Sequence, residues 1–165
     1  MTLDYIRSKN FKGIILDSNL LLLLLIGHFN IDEVERNKRL QNKAFEKEDF
    51  YRLISLIEAV SNNIVITPNI LTEVSNLSEK YNEETNFAFF KFLEMIIKPI
   101  EERNSKSKDI ILNNQTAFYK FGLADSSITN LSKENYLIVT VDFPLYHFLS
   151  SQNLPAINYN HLRVA

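Results

Sequence analysis

Short apolar segments alternate along this chain with longer segments of helical pattern. The apolar segments, rich in isoleucine and valine, lie at residues 13–16, 64–66, 137–140 and 156–159. Each has the length of a buried strand and is too short for a typical helix. The segments between them are long enough to return across a sheet, so the alternation predicts an α/β fold with a central, mostly parallel sheet and helices on both faces.

Apolar spacing and helix-end signals predict the elements between these strands. Helices are expected over residues 20–26, 50–60, 68–77, 83–97, 110–121, 126–135 and 144–149. Ser18 or Asn19 can cap the first of them, which we expect to stop near Gly27. Residues 32–48 are polar and are expected to be helical and exposed, and Asn62 is expected to mark the end of the helix that follows them.

Size and composition indicate one globular domain spanning residues 1–165. The chain is 45% hydrophobic and 12% aromatic, which is enough to bury a core. A net charge of -2 neither requires nor excludes a polyanionic partner. Because cysteine is absent, disulfides, thiolate metal sites and cysteine nucleophiles are excluded.

No segment is expected to cross a membrane or to direct secretion. The most hydrophobic run, residues 20–26, is far shorter than the roughly 20 residues that a membrane span needs, so we expect a core helix there. The N-terminal segment has an early acid and no apolar stretch ending at a small-residue cleavage site. We therefore expect a cytoplasmic protein with no membrane partner.

Four carboxylates stand where strands end or on the helices that follow. Asp17 and Asp142 follow the first and third strands, Asp125 opens a helix, and Glu73 lies on the helix after the second strand. Ligands of parallel sheets bind outside the carboxyl ends of the strands, so this placement can gather the acids into one metal-binding cleft.

Each acid also has a purely structural interpretation. Asp17 and Asp125 suit helix N-caps, Asp142 suits a turn before Pro144, and Glu73 suits the early turns of its helix through the helix dipole.

Other catalytic motifs are missing. Glycine occurs only at positions 13, 27 and 122, so neither a P-loop nor a dinucleotide-binding fingerprint is present. The three histidines form no HExxH pattern, and there is no G-x-S-x-G segment. Asn19 stands where an aspartyl phosphatase would need a second aspartate, which argues against that class.

In the order and spacing of its motifs, the chain resembles the PIN-domain family of metal-dependent ribonucleases, which includes toxins of bacterial toxin-antitoxin pairs. The resemblance is carried by ILDSNLLL, by TPNILTEVSNL and by GLADSSITNLSKENYLIVTVDFPL, and it covers residues 13–159. Each motif is short and degenerate, so the specificity lies in their order. The resemblance implies a PIN-like fold.

The resemblance also implies roles for individual residues. Asp17, Glu73, Asp125 and Asp142 match the metal-binding and catalytic acids, and Asn19 and Thr140 match positions that support such a site by hydrogen bonding. Asn19 also suits a helix cap, and Thr140 an ordinary strand end. The implied cofactor is Mg²⁺ or Mn²⁺, and the implied partners are an RNA substrate, an antitoxin protein and a second copy in a homodimer.

The residues suit this chemistry. Carboxylates without histidine or cysteine are the ligands that Mg²⁺ prefers, and divalent ions assist phosphodiester hydrolysis by activating water and neutralising charge. Four acids in one cleft repel one another, so we expect at least one raised carboxylate pKa in the metal-free protein. The alternatives are a catalytically silent scaffold of the same fold and a nuclease for DNA or structured flaps.

The chain departs from a compact family member in two polar segments. Basic residues cluster in residues 36–47 and in residues 103–108, where they could hold an RNA backbone or form solvated helix faces. Tyr119 and Phe121 could stack a base or pack in the core. The phenylalanine-rich helix, residues 83–97, is apolar on several sides, so it is either sandwiched or committed to a partner.

Overall fold

A computed structural model describes residues 9–60, 63–78 and 83–163 of the chain. In chain order its elements are β1 (Ile14–Leu16), α1 (Ser18–Phe29), a 3-10 turn (Ile31–Glu33), α2 (Lys38–Gln41), α3 (Lys47–Val60), β2 (Val65–Ile66), α4 (Pro68–Ser78), α5 (Glu83–Ile97), β3 (Glu101–Glu102), α6 (Ser107–Asn113), α7 (Gln115–Ser132), β4 (Leu137–Thr140), α8 (Phe143–Ser151), β5 (Ala156–Asn158) and α9 (Asn160–Arg163).

The strands pair in parallel, as the sequence predicts. One sheet has the order β1-β4-β5, and β2 pairs with β3. A parallel bridge between Ile14 and Ile64 joins the two sets side by side. Leu16 lies opposite Val139 in the ladder, so β1 and β4 end at the same edge of the sheet.

Both faces of the main sheet are covered. Every residue of β1, β4 and β5 is buried, and successive side chains of a strand point to opposite faces. Helices therefore shield the sheet on both sides, and the α/β class with a mostly parallel sheet is confirmed.

Helix α1 is the centre of the core. All its residues from 20 to 26 are buried, and the helix packs against α3, α4, α5 and β1. A fully buried leucine side chain contributes about 1.5–3 kcal/mol, so this run is a major source of stability, as expected of a core helix. No helix within the described part of the chain is long and apolar enough to span a bilayer.

The expectation that this helix stops near Gly27 is wrong, because α1 continues to Phe29. Gly27 is needed for packing. A Cβ atom built there would lie 2.2 Å from the Phe50 ring, which is itself only 7% exposed. The glycine lets α1 and α3 approach closely, and it does not end the helix.

Residues 32–48 do not form the extended exposed helix that their polarity suggests. The segment has the 3-10 turn and the single turn of α2 before α3 begins at Lys47. The Asn30 and Asn37 side chains accept hydrogen bonds from backbone N–H groups at the starts of these turns. Asparagine competes with helix continuation in this way, because its side chain satisfies local backbone donors.

The predicted helix over residues 110–121 begins earlier and is interrupted. It starts as α6 and ends at Asn114, after which α7 begins. The expected break at Gly122 is present: the residue has φ +81°, a left-handed conformation that favours glycine. The chain resumes helical geometry after it and continues to Ser132.

Helix α5 is partly sandwiched. Phe89 is fully buried and packs edge-on against Phe29, whereas Phe87 and Met95 are 73% and 62% exposed.

Two expectations, an N-terminus without a secretory signal and a helix end at Asn62, fall outside the described residues.

Candidate functional site

Asp17 lies at the carboxyl end of β1 and caps α1. The Leu20 N–H donates to Asp17 Oδ1 at 2.8 Å, so the structural interpretation of this acid is correct. The Asp17 N–H also donates to Val139 O, which continues the ladder between β1 and β4. The cap and the ladder hold the Asp17 carboxylate at the edge of the sheet.

Thr140 ties this carboxylate to the end of β4. Its hydroxyl donates to Asp17 Oδ2 at 2.6 Å and accepts from the Asp142 N–H at 2.9 Å. The Val141 N–H donates to the same Asp17 oxygen at 2.7 Å. One buried hydroxyl therefore orients two of the candidate acids.

Asp142 is exposed and has a structural function as well. It is the N-cap of α8, where its Oδ1 accepts from the Leu145 N–H at 2.8 Å. This agrees with the turn interpretation of Asp142. Its other oxygen has no hydrogen-bond partner among the described residues, so that atom can face a ligand.

Asp125 reaches the same region from α7. After the break at Gly122 the chain is helical from residue 123, so Asp125 is in the first turn and not at the N-cap. Its carboxylate accepts no hydrogen bond from any described residue, although the residue is half-buried. The expectation that Asp125 projects from the start of a helix is correct, and the capping interpretation is not.

Glu73 is joined to the start of α1. The Ser18 hydroxyl donates to Glu73 Oε2 at 2.5 Å across 55 positions of sequence. Ser18 directly follows Asp17, so the two carboxylates are fixed to neighbouring residues of one helix end.

The four acids line one cleft of about 510 Å³. Eleven of the fourteen residues around it are polar or charged: Asp17, Ser18, Asn19, Arg39, Lys43, Asn69, Thr72, Glu73, Asn76, Asp125 and Asp142. Phe121, Leu123 and Ala124 complete the lining. The structure therefore brings together all four residues that the sequence singled out.

Burial and repulsion raise the pKa of two of these carboxyls. Burial raises the pKa of Asp17, although its hydrogen bonds act in the opposite direction. The pKa of Asp125 is raised from 3.8 to about 7, mainly by burial and further by the charges of Asp17, Asp142 and Glu73. Repulsion among crowded acids predicts a raised carboxylate pKa, and for Asp125 burial is the larger cause of the rise.

The carboxylates share the cleft without forming a ready metal cage. Within residues 9–60, 63–78 and 83–163, no three His, Cys, Asp or Glu side chains are arranged closely enough to hold a metal ion. Sharing a cleft depends on where backbone elements end, whereas convergence on one point depends on side-chain rotamers. The described arrangement places the four acids in one cleft but does not bring their carboxylates together at one point.

Asn19 does not contact the acids through a side-chain hydrogen bond. Its Oδ1 accepts from Arg39 Nε at 3.0 Å, and both residues line the cleft. Lys43 joins them there, whereas the basic residues of the 103–108 segment do not line it. Arg103, for example, donates to Glu134 at 2.8 Å.

Other residues of the cleft have a weaker signal in the sequence. Ser18 gives none, because nothing local indicates a bond to Glu73. Asn69, Thr72 and Asn76 share a face of α4 with Glu73, and their spacing is that of a polar stripe on a helix. Once Glu73 is taken as a site residue, the helical spacing in the sequence is enough to predict that these three residues lie beside it.

The two aromatic residues proposed for stacking have different surroundings. Tyr119 is 76% exposed, so it does not pack in the core. Phe121 lines the cleft and contacts Phe148 edge-on at 5.3 Å between ring centroids.

Comparisons of the chain with models of protein families, with curated proteins and with solved structures found no match.

Proposed function

We propose that this protein is a metal-dependent endoribonuclease that hydrolyses RNA phosphodiester bonds. The single observation that carries the proposal is the gathering of Asp17, Glu73, Asp125 and Asp142 around one cleft. These acids come from three separate regions of the sequence, and one of them has its pKa raised to about 7. Strongly perturbed carboxylates in a cleft are a common property of active sites.

The donor set suits Mg²⁺ or Mn²⁺. The cleft offers carboxylate, amide and hydroxyl oxygens and no histidine or cysteine, which is the preference of hard divalent cations. The four acids would hold the ion once their side-chain rotamers turn toward one point, because in the described arrangement they share the cleft without converging. The bound ion would supply an activated water and neutralise charge on the phosphate.

The chain's own residues position the acids. Thr140 fixes Asp17, and Ser18 fixes Glu73, each through one hydroxyl that donates to a carboxylate oxygen. Asp125 has no such partner among the described residues, and with a pKa of about 7 it is partly protonated at neutral pH. A cation entering the cleft would compete with that proton, so binding should release it.

Cleavage of RNA with and without Mn²⁺, by wild type and by Asp125→Asn, tests the proposal. We expect metal-dependent cutting that the variant abolishes. Asp109→Asn is a matched control, because Asp109 is exposed on α6 and does not line the cleft. Undiminished cutting by Asp125→Asn would overturn the assignment.

Asp17→Asn should also abolish cleavage, but it is a less clean probe. Three donors converge on the Asp17 carboxylate, from Leu20, Thr140 and Val141. An amide group would turn an N–H₂ toward one of these donors, so the variant should lose stability as well as activity. Its thermal unfolding must therefore be recorded beside its activity.

The preference for RNA, the toxin function, the antitoxin partner and the PIN-like fold derive from the sequence motifs. Parallel assays on RNA and DNA of the same sequence would separate a ribonuclease from a nuclease for DNA or flaps. Co-purification with a small partner encoded next to this chain would support the toxin function.

A catalytically silent scaffold is the alternative, and the exposed Phe87 and Met95 on α5 favour it. Large exposed apolar side chains on one helix are common at protein interfaces. A scaffold would show no saturable Mn²⁺ site in a calorimetric titration and would form a complex in size-exclusion chromatography. The same surface is the basis for proposing a homodimer, and a monomeric mass in light scattering would contradict the dimer.

A further inference from the structure

The wall of the cleft that carries Arg39 has an organised basic side chain. Arg39 is in the single turn of α2, where the Asn37 side chain accepts from the Arg39 N–H at 3.0 Å. The next residue, Leu40, is fully buried. The backbone that carries Arg39 is therefore anchored, although the helix is only four residues long.

Asn19 holds the Arg39 side chain in the cleft. The bond from Arg39 Nε to Asn19 Oδ1, at 3.0 Å, joins residues 20 positions apart in sequence. It engages only one edge of the guanidinium group. The terminal NH1 and NH2 groups donate to no residue that the structure describes, so they can bind a ligand.

Lys43 extends the same wall through a separately fixed turn. Arg163 on α9 donates to the carbonyl oxygens of Lys43 and Ala44. Arg163 is itself held by the buried Asp49, whose Oδ1 accepts from Arg163 Nε at 3.0 Å. The turn includes Ala44 in a left-handed conformation, with φ +51°.

Among the described residues, neither Arg39 nor Lys43 forms an ion pair with the acids that line the same cleft. Every ion pair between described residues involves other side chains, such as Arg36 with Glu33 and Lys47 with Asp32. The cleft is therefore lined by four acids and by two basic side chains that form no ion pair with them. A nucleic-acid backbone offers matching chemistry, because phosphates next to a metal-bound one still need a cationic partner.

We infer that Arg39, oriented by Asn19 and accompanied by Lys43, binds a backbone phosphate of the nucleic acid beside the acidic centre. A guanidinium group binds two phosphate oxygens through parallel N–H donors, which lysine cannot do. The Asn19 side chain then positions Arg39 and does not support the acids. The inference rests on the proposed function only in taking nucleic acid as the substrate.

Anisotropy of a fluorescein-labelled single-stranded RNA oligonucleotide tests the inference. Arg39→Gln should weaken binding about tenfold, as expected for one lost charge-assisted hydrogen-bonded contact. The slope of log K against log salt should become shallower by about 0.7, the value for one phosphate of a single strand. Arg39→Lys should keep the slope and still bind more weakly than wild type.

Arg36→Gln is the matched control. Arg36 is in the same segment, pairs with Glu33 at 3.3 Å and does not line the cleft. Its removal should change neither affinity nor slope. An unchanged affinity and slope in Arg39→Gln, or an equal loss in Arg36→Gln, would overturn the inference.

A double-mutant cycle tests the positioning by Asn19. Asn19→Ala should weaken RNA binding in the wild-type background. It should have little further effect in the Arg39→Gln background, because both changes remove the same contact between Arg39 and the phosphate. Neither variant should lower Mn²⁺ affinity in a calorimetric titration. An undiminished effect of Asn19→Ala in the Arg39→Gln background, or a loss of Mn²⁺ affinity, would assign Asn19 to the acids instead.

Kinetics separate this inference from the proposed function. If RNA is cut, Arg39→Gln should raise KM about tenfold with kcat unchanged, since the contact to a flanking phosphate is the same before and during reaction. Wild type that binds RNA through Arg39 but never cuts it would refute the nuclease and support the phosphate site. RNA cleavage with an unchanged KM in Arg39→Gln would support the nuclease and refute the phosphate site. A wild-type protein that does not bind RNA would refute the nuclease and the phosphate site together.

Discussion

Replacing Asp125 by asparagine should stabilise the metal-free protein at alkaline pH. The folded protein holds the pKa of this carboxyl at about 7, against an ordinary value of 3.8. At about 1.4 kcal/mol per pH unit, ionising it in the folded state costs about 4 kcal/mol. Water and salt in the open cleft screen part of this, so we expect Asp125→Asn to raise the free energy of unfolding by about 2–4 kcal/mol at pH 8.

The sign follows from where the proton is lost. The unfolded chain releases it near pH 3.8 and the folded protein near pH 7, so between these values the folded state binds more protons. The free energy of unfolding contributed by this group therefore falls as pH rises, and the loss is complete above pH 8 or so. At pH 4 wild type and variant should be nearly equal in stability.

Thermal unfolding in EDTA at pH 4 and pH 8 measures the effect. For a chain of this size, 2–4 kcal/mol corresponds to a rise in Tm of roughly 4–16 °C. Asp109→Asn, at an exposed site outside the cleft, should stay within about 0.5 kcal/mol of wild type at both pH values. Equal stability of Asp125→Asn and wild type at pH 8, or the same difference at both pH values, would refute the reasoning.

Two further substitutions test the packing and hydrogen bonds around the site. Thr140→Val removes the donor to Asp17 and the acceptor for the Asp142 N–H, so urea unfolding should show a loss of about 1.5–3 kcal/mol. Thr129→Val, whose hydroxyl donates to a carbonyl of its own helix, should lose less, and an equal loss would contradict the role given to Thr140. Gly27→Ala improves helix propensity but places a Cβ 2.2 Å from the Phe50 ring. We expect it to lower Tm through a net loss of about 1–3 kcal/mol, and a raised Tm would show that the ring moves aside freely.

The elements that the sequence predicts well are those defined by local patterns. The four apolar segments are found as β1, β2, β4 and β5, and Pro68 begins its helix as expected. Gly122 breaks a helix because it adopts a positive φ, a conformation that favours glycine, so the break can be predicted from this one residue. Asp17 and Asp142 both cap helices, as their positions after strands suggest.

Two errors arise where a residue contacts a partner that is distant in the sequence, and a third arises from local capping. Gly27 resembles a helix end, but it is there because Phe50 packs against it. Asn19 resembles either a cap or a support for the acids, but it binds Arg39. Residues 32–48 look helical from their polarity, yet local capping by asparagines divides them into short turns.

The sequence by itself determined the parallel α/β class and the placement of acids at the edge of the sheet, because hydrophobic period and strand ends are local properties. Only the tertiary structure decided which acid accepts no hydrogen bond from the described residues, which acids are held by hydroxyls, and that Arg39 and Lys43 line the same cleft. Those features depend on contacts such as Ser18 with Glu73 and Asp17 with Thr140, which are 55 and 123 positions apart. No local pattern encodes such contacts, because they form only when the packing of α1 against the sheet and α4 brings the segments together.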